Sequence, residues 1–417
     1  MRIDLIHTLR LPNRDRQWLT LLATSCVLWA CADQSALVVQ EPYVGDAPFP
    51  NLRPQFVLPE AGLGAVSNNG SDSVTLLDLN SQMVIGSASV GLDPVANDGP
   101  HHIALDRAQG AAYIALAYPA PTTAPGPHAA HGGSQRPGYV QKLALEDLRP
   151  LGEVQIETNP GDIVLSEDGS RLVVSHFDLL RAERETELLK QRADLAVLNP
   201  AELEAGGATP IFIKTCIAPH GVALSRPSGD TAFVACYGED ALAVVDLTRP
   251  DSQPKLVSLG PGGGPADPIF GPYAAVLSPD ATTVAVSSTQ SKDVRFFDVA
   301  SGAFTSSVIR TPGAPYFAAW TADSRTVLVP TQSPDALVVA DVSTGKIQTV
   351  RTFHEDECQL PHEAVWGDES SVYLVCEGDH QNPSVVLVLD ASTLDVVTSL
   401  PVGVYPDRLA LDRGQPP

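Results

Sequence analysis

Short apolar runs alternate with turn residues along most of the chain. The clearest stretch is "PYAAVLSPDATTVAVSSTQSKDVRFFDVASGAFTSSVIR", residues 272–310. It contains four β-rich runs that are separated by turn segments such as "SPDA" and "ASG". Pro, Asp, Ser and Gly favour turns, and runs of β-branched and aromatic residues favour strands. The pattern therefore predicts a four-stranded antiparallel meander.

The same unit recurs along the chain and starts each time with Pro and a short apolar strand. The seven starts are "PHHIAL" (100), "PGDIVL" (160), "PHGVAL" (219), "PYAAVL" (272), "PYFAAW" (315), "PHEAVW" (361) and "PDRLAL" (406). One meander cannot bury both of its apolar faces, so the units are expected to stack around an axis. The sequence predicts an all-β, seven-bladed β-propeller of four-stranded antiparallel blades.

The two ends of the repeat array predict how the ring closes. The first unit, residues 62–91, supplies three strands but lacks the Pro-led first strand. The last Pro-led strand, "PDRLAL", has no further strands after it. We expect this C-terminal strand to complete the first blade, which would leave no open sheet edge.

The repeat resembles that of the YVTN-type seven-bladed propeller family of bacterial exported and surface proteins. That family's unit combines a Pro-led apolar strand, Ser-Pro-Asp-Gly, and a second strand ending near Tyr-Val-Thr-Asn. Here "SPDA" fills the turn at 278–281, and the second strands end in "VVSH", "FVAC", "AVSS", "LVPT" and "YLVC". The resemblance covers about residues 56–413 and implies the fold, whereas function in such a family depends on the individual site.

The N-terminus has the order of a secretory signal. Four arginines come first, Arg2, Arg10, Arg14 and Arg16, and the apolar run "WLTLLATSCVLWA" follows. "LWAC" resembles a bacterial lipobox, which implies lipidation of Cys31. Ordinary cleavage after "ACA" (30–32) and lipidation at Cys26 remain open, and residues 18–30 form a short run for a membrane anchor.

The chain is thus divided into a lipoprotein-type signal (1–30), a Pro-rich tether (31–58) and a propeller (59–417). The net charge is −23, and residues 1–30 contain four Arg and two Asp, so the remainder carries −25. Such an acidic surface repels nucleic acid phosphates. We expect a lipid-anchored protein of the cell envelope, in the periplasm or at the outer membrane or cell surface, that does not bind nucleic acid.

Four cysteines of the propeller fall into two matched pairs. Cys216 and Cys358 each precede a Pro-His start, and Cys236 and Cys376 each end the second strand of the same unit. Because first and second strands are antiparallel neighbours, we predict the disulfides Cys216–Cys236 and Cys358–Cys376. Disulfides fit an oxidising compartment, and thiolate ligation of a metal remains the alternative. Cys-x-x-Cys-His is absent from the sequence, which excludes covalent c-type haem.

The residue after each leading Pro belongs to one set, because the first strands of a propeller line its axis. The set is His101, Gly161, His220, Tyr273, Tyr316, His362 and Asp407. We predict that it forms a ring at one mouth of the channel. A single such His is expected to hydrogen-bond a loop carbonyl, but several imidazoles together suit Cu, Zn, Ni or Fe. The candidate metal ligands are His101, His102, His176, His220 and His362.

Three insertions are expected on the face that carries the ring: residues 119–138, 178–193 and 260–271. The second contains a short amphipathic helix by its pattern, with leucines that pack or contact a partner. Loops on one rim of a rigid scaffold commonly bind ligands. The leading hypothesis is a non-catalytic scaffold that binds a protein, glycan or small ligand through this His-rich face. The alternative is a metal-dependent or lactonase-like periplasmic enzyme at the axial mouth, although no known catalytic signature supports a particular reaction.

Overall fold

A computed structural model describes residues 53–119, 133–205, 207–261, 268–368 and 370–412. The predicted signal, the lipidation site Cys31 and the tether up to residue 52 lie outside these ranges. So do residues 120–132 and 262–267, within two of the predicted insertions. Residues 53–58 of the predicted tether contact the propeller, where Phe56 packs against blades 1 and 2 and donates its N–H to Glu146 O at 2.8 Å.

Within the described residues, the strands form seven antiparallel sheets, and their order confirms the predicted seven-bladed propeller. From the axis outward, blade 1 contains Pro406–Leu411, Leu63–Asn68, Ser73–Asp78 and Met83–Ser89. Blade 2 contains Pro100–Asp106, Ala111–Leu116, Pro137–Ala144 and Pro150–Thr158. Blade 3 contains Pro160–Leu165, Leu172–His176, Arg192–Leu198 and Ile211–Ile217. Blade 4 contains Pro219–Leu224, Thr231–Cys236, Ala241–Asp246 and Lys255–Ser258.

The remaining three blades follow the same order. Blade 5 contains Pro272–Leu277, Thr283–Ser288, Asp293–Asp298 and Ala303–Arg310. Blade 6 has a first strand in two pieces, and it contains Ala314–Pro315, Ala319–Trp320, Thr326–Gln332, Ala336–Asp341 and Ile347–Thr352. Blade 7 contains Pro361–Trp366, Ser371–Cys376, Pro383–Asp390 and Val396–Val404. The ring closes as predicted, because Pro406–Leu411 pairs with Leu63–Asn68 through partners such as Leu409 and Val66.

The core consists of apolar clusters between neighbouring blades. Leu76 of blade 1 packs with Ile114 of blade 2, and Val388 of blade 7 packs with Leu77 of blade 1. All four side chains have no exposed area. Because no blade buries its faces alone, changing Leu76 to Ala is expected to cost about 2–5 kcal/mol of stability and to loosen two blades at once.

The first strands have an irregular register directly after the leading Pro. In blade 4, Pro219 pairs with Cys236 but the next pair is Val222 with Val234, so the first strand contains an extra residue. The same irregularity occurs in blades 1, 2, 3, 5 and 7. A bulge of this kind re-aims side chains. It allows two successive residues of each first strand, such as His101 and His102, to lie at the axis.

The first strand of blade 6 is interrupted at Phe317. The N–H of Phe317 donates to His362 O at 3.1 Å, and its carbonyl accepts from Ala364 N–H at 3.0 Å. These bonds join blade 6 to the first strand of blade 7 and place the Phe317 ring at the axis, where it is almost fully buried.

Both predicted disulfides are confirmed, with Cα–Cα distances of 5.8 Å for Cys216–Cys236 and 5.3 Å for Cys358–Cys376. One detail of the prediction is wrong, because Cys216 belongs to the outermost strand of blade 3 and not to blade 4. Only Ala218 separates the outermost strand of blade 3, Ile211–Ile217, from the innermost strand of blade 4, Pro219–Leu224. The first disulfide therefore links two blades.

The insertion at 178–193 forms two short helices, Leu179–Arg184 and Leu188–Gln191. Asp178 caps the first helix by accepting the Arg181 N–H at 2.9 Å. Leu179 packs against the axial core, whereas Leu188 and Leu189 are 51% and 65% exposed. Three 3-10 turns complete the helical content of the described chain: Asn69–Ser71, Pro200–Ala205 and Tyr237–Glu239. No helix in these ranges has the length and hydrophobicity needed to cross a membrane.

Candidate metal centre

The first strands bring the predicted ring residues together at the axis. His101, His220, His362 and Asp407 have no exposed area. Close packing explains the Gly in the set, since a Cβ on Gly161 would lie 2.9 Å from Ser175 Oγ and 3.3 Å from the Cδ2 atom of His220. The ring is thus packed closely enough for side chains of different blades to contact one another.

Three imidazoles surround the carboxylate of Asp407. The distance from His101 Nε2 to Asp407 Oδ2 is 3.1 Å, and His362 Nδ1 lies 3.3 Å from Asp407 Oδ1. His102 Nε2 is 3.8 Å from the same oxygen. The ligand atoms of a tetrahedral ion with bonds of about 2.0–2.1 Å are roughly 3.3 Å apart. These separations therefore suit a shared transition-metal ion.

Hydrogen bonds from Nδ1 orient three of the imidazoles, and that of His362 goes to the Asp407 backbone carbonyl at 2.8 Å. His101 Nδ1 donates to Gly161 O at 2.7 Å, and His102 Nδ1 donates to the Asp162 carboxylate at 2.8 Å. With the proton on Nδ1 in the rings of His101 and His102, the lone pair of each is on Nε2, which is the nitrogen nearer the Asp407 carboxylate. Metal-binding histidines are commonly held in this way by a carbonyl or a carboxylate on the second nitrogen.

Two overlapping groups satisfy the geometry of a metal site. One is His101, His102 and His220, and the other is His102, His362 and Asp407; in each group the ligand atoms lie within 4.8 Å of one another. His102 belongs to both. His220 also stacks on Tyr273, with ring centroids 3.8 Å apart, and therefore has a largely aromatic environment.

His176, the fifth predicted ligand, lies outside both groups. It ends the second strand of blade 3, and its Nδ1 donates to Asp194 O at 2.7 Å. Burial lowers the pKa of His176. The structure does not bring this residue into either group of candidate ligands, because a second strand is one position farther from the axis than a first strand.

A second ring of residues lies next to the first, and the sequence analysis missed most of it. Its members follow the leading Pro by two positions: His102, Asp162, Gly221, Ala274, Phe317, Glu363 and Arg408. Arg408 Nε is 3.1 Å from Glu363 Oε1, and its Nη1 is 3.7 Å from Asp162 Oδ1. Its guanidinium lies 4.4 Å from the centre of the Phe317 ring. The repeat shows which residue follows each leading Pro by two positions, but only the bulge in the first strands shows that this position also faces the axis.

Negative charge exceeds fixed positive charge around the axis. Asp162, Glu363, Glu377 and Asp407 are buried, and Arg408 is the guanidinium that contacts this cluster. Burial raises the pKa of Asp407 well above its usual range, and the nearby Glu377 and Glu363 raise it further. Buried carboxylates are costly unless they are paired with a cation or neutralised by protons. A bound divalent cation would stabilise this arrangement.

The two sides of the centre differ in access. On the face of the insertions, Phe177 covers His220 with ring centroids 5.0 Å apart, and Tyr237 packs on Phe177. On the opposite side, a cavity of about 220 Å³ runs between the first strands and ends at Glu363 and Arg408. The candidate centre is therefore enclosed by aromatic rings above and by an ion pair below.

The available donors define the class of metal. Imidazole nitrogens and carboxylate oxygens suit Zn²⁺, Cu²⁺, Ni²⁺ and Fe²⁺, whereas soft ions such as Cu⁺ prefer thiolate or thioether ligands. Cys216, Cys236, Cys358 and Cys376 form disulfides and cannot act as thiolates. The alternative interpretation of these cysteines as ligands is thus wrong.

Comparison with known proteins supports the fold and does not identify a family. No protein-family model and no curated protein sequence matches the chain. Among solved structures, a functionally unknown protein of Desulfotomaculum acetoxidans has a TM-score of 0.57 at 11% identity, covering 84% of this chain and 98% of that one. AztD of Citrobacter koseri has a TM-score of 0.52 at 12% identity, and the match covers 84% of this chain and 97% of AztD. A candidate 6-phosphogluconolactonase of Bacteroides uniformis has a TM-score of 0.59 at 12% identity, with 84% and 99% covered.

Proposed function

We propose that this chain is a metal-binding propeller that holds one divalent transition-metal ion at the axial centre. The main observation in support is that ring nitrogens of His101, His102 and His362 lie within 3.8 Å of the carboxylate oxygens of Asp407. The oriented Nε2 atoms of His101 and His102 would supply two ligands, Asp407 a third, and His362 is placed to complete the set. Zinc, copper(II), nickel and iron(II) fit this donor set.

Metal analysis of the purified, untagged protein tests the proposal. We expect about one equivalent of metal per chain and a lower melting temperature after chelation, because a ligand that binds only the folded state stabilises it. At free metal about 1,000 times the dissociation constant, this stabilisation is about 4 kcal/mol. Substoichiometric metal together with an unchanged melting temperature would contradict the proposal.

The proposal includes export and anchoring in the cell envelope. Two disulfides in the propeller are typical of proteins from oxidising compartments. The resemblance to YVTN-type proteins and the lipobox ending at Cys31 add lipid anchoring in the periplasm or at the outer membrane or cell surface. Labelling with a radioactive fatty acid tests this part. Label should be incorporated into the wild-type chain and be absent from a Cys31→Ser variant, whereas retained label would place the lipid elsewhere.

A binding scaffold for a protein, glycan or small ligand is the second candidate function. The observation that favours it is the exposure of Leu188 and Leu189 on the insertion between the second and third strands of blade 3. Exposed apolar pairs on a rim commonly contact partners. Binding to glycan arrays should be weakened by Leu188→Ser with Leu189→Ser if this surface is used, and an unchanged profile would exclude this pair from the contact.

A further inference from the structure

A second imidazole–carboxylate pair lies between the surface and the axial centre. His380 and Glu377 belong to the loop that joins the second and third strands of blade 7. His380 Nε2 is 2.8 Å from Glu377 Oε2, and Glu377 Oε1 is 4.0 Å from His362 Nε2. The other ring nitrogen of His362, Nδ1, donates to the Asp407 backbone carbonyl at 2.8 Å and is 3.3 Å from Asp407 Oδ1. These residues form a continuous line of metal-binding groups.

Burial increases along this line. The side chain of His380 is 25% exposed, whereas those of Glu377, His362 and Asp407 have no exposed area. His362 lies in the middle and has one ring nitrogen on the Glu377 side and one on the Asp407 side. An ion bound at the surface pair would thus meet the next donor within a few ångströms at every step.

The surface pair is held in place by its surroundings. His380 stacks on the buried ring of Tyr405, with centroids 3.6 Å apart and planes at 11°. Gly378 N–H donates to Gln359 O at 3.1 Å, and Cys376, directly before Glu377, forms the disulfide with Cys358. The pair is therefore preorganised, and binding an ion would require little movement.

The opposite side of the centre is unfavourable for a cation. There the cavity ends at the guanidinium of Arg408, which is paired with Glu363. An approaching divalent ion would be repelled by this fixed positive charge at short range. By contrast, the metal-binding groups on the line through His380 and Glu377 are carboxylates and imidazoles, and the neutral amide of Gln332 donates to Glu377 Oε1 at 3.3 Å.

We propose that His380 and Glu377 form a loading site, through which a divalent transition-metal ion reaches the axial centre. This inference rests on the proposed metal-binding function. Transfer proceeds by ligand exchange at His362 Nε2, because Nδ1 donates to the Asp407 backbone carbonyl. The ion gains a bond to Nε2 as it loses one to His380, and then gains Asp407 as it loses Glu377. The charge and oxidation state of the ion stay the same throughout. Protons displaced from imidazole nitrogens leave to solvent.

Loading of the metal-free full chain with Co²⁺ tests the loading site, because Co²⁺ bound by nitrogen and oxygen ligands has a visible absorption band. For His380→Ala and Glu377→Gln, we expect loading that is slower by about tenfold or more, since loss of a supporting ligand commonly costs 10–100-fold. The final absorbance at saturating Co²⁺ should match the wild type. His354→Ala is the matched control, because the side chain of His354 is exposed and pairs with Asp356, and the loading rate of this variant should be unchanged.

The possible results separate the two proposals. Wild-type loading rates in both variants would overturn the loading site while leaving the axial centre intact. Absence of a Co²⁺ band in the wild-type chain at equilibrium would instead overturn the axial centre. His380→Asn keeps a side chain of similar size, so slow loading by this variant with an unchanged melting temperature shows that the defect is not one of folding.

Discussion

Blades 4 and 7 start from nearly the same sequence pattern. Each is preceded by Cys and begins with Pro-His, and each second strand ends in the Cys that completes a disulfide. The following loops read "CYGED" (236–240) and "CEGDH" (376–380). Their last residues, Asp240 and His380, both have left-handed backbone conformations, with φ of 48° and 59°. The two blades therefore share a scaffold at the same mouth of the channel.

Their chemistry differs because of the residues that face them from other blades. His220 of blade 4 stacks on Tyr273 and meets the edge of Phe177. His362 of blade 7 lies between two carboxylates, 3.3 Å from Asp407 and 4.0 Å from Glu377. A repeated Pro-His motif thus fixes where an imidazole lies, while its neighbours across the axis determine what it can bind.

The loops differ in the same way. The carboxylate of Asp240 accepts the N–H groups of Ile269, Phe270 and Gly271, each at 2.9 Å, and thereby attaches blade 5. Asp72 has the same role in blade 1, where it accepts the N–H groups of two residues before blade 2. While His380 Nε2 donates to Glu377, the imidazole keeps at most one acceptor nitrogen and cannot accept two or three N–H groups as these carboxylates do. Blade 7 therefore has an imidazole at the position where blades 1 and 4 have a structural carboxylate.

The largest expected effect comes from His102, which belongs to the group with His220 and to the group with His362. His102→Ala should reduce metal affinity by roughly 100-fold or more, because it removes a ligand from either arrangement. Metal content after dialysis measures this. His176→Ala is the matched control, being equally buried and also hydrogen-bonded through Nδ1. Loss of metal from both variants would show that unfolding, and not ligand removal, causes the effect.

The next largest effect is a difference in metal affinity between variants of blade 4 and blade 7. We expect His362→Ala to weaken metal binding about tenfold more than His220→Ala, because His362 is next to the Asp407 carboxylate. Competition with a chromophoric chelator measures both constants. Equal losses, or a larger loss for His220→Ala, would place the ion among His101, His102 and His220 instead.

Replacing the two disulfides should have effects that differ less than those of the two histidine variants. They close segments of 20 and 18 residues, so replacing either cystine by two Ser should cost about 3 kcal/mol of unfolding free energy. Only the loss of Cys358–Cys376 should also slow metal loading, because this bond adjoins Glu377. Denaturant unfolding and Co²⁺ loading of both double variants test the difference. Slower loading after loss of Cys216–Cys236 would contradict it.

Sequence analysis predicted the parts of the molecule that repeat. Blade number, ring closure and both cysteine pairs follow from the Pro-led unit, since its spacing is visible in the chain itself. The second axial ring, with Glu363 and Arg408, depends on a bulge in the first strands, and a bulge is defined by hydrogen bonds that no residue pattern specifies. His176 lies outside the candidate ligand groups, and Glu377 was missed, because distance from the axis is a property of the assembled ring.

The smallest expected effect is on the pH dependence of stability, and it comes from Asp72, which has a carboxylate at the position that His380 occupies in blade 7. Burial raises the pKa of Asp72 from 3.8 to about 6, although the N–H groups of Gly99 and Asp98 oppose the shift. The folded state therefore binds a proton more tightly than the unfolded state, and stability should fall as the pH rises from about 4 to about 6. In Asp72→Asn, the amide oxygen can still accept both N–H groups and the charge is absent, so this part of the pH dependence should disappear. Unfolding free energies measured across this range test the expectation, and a slope that persists in the variant would assign it to other groups.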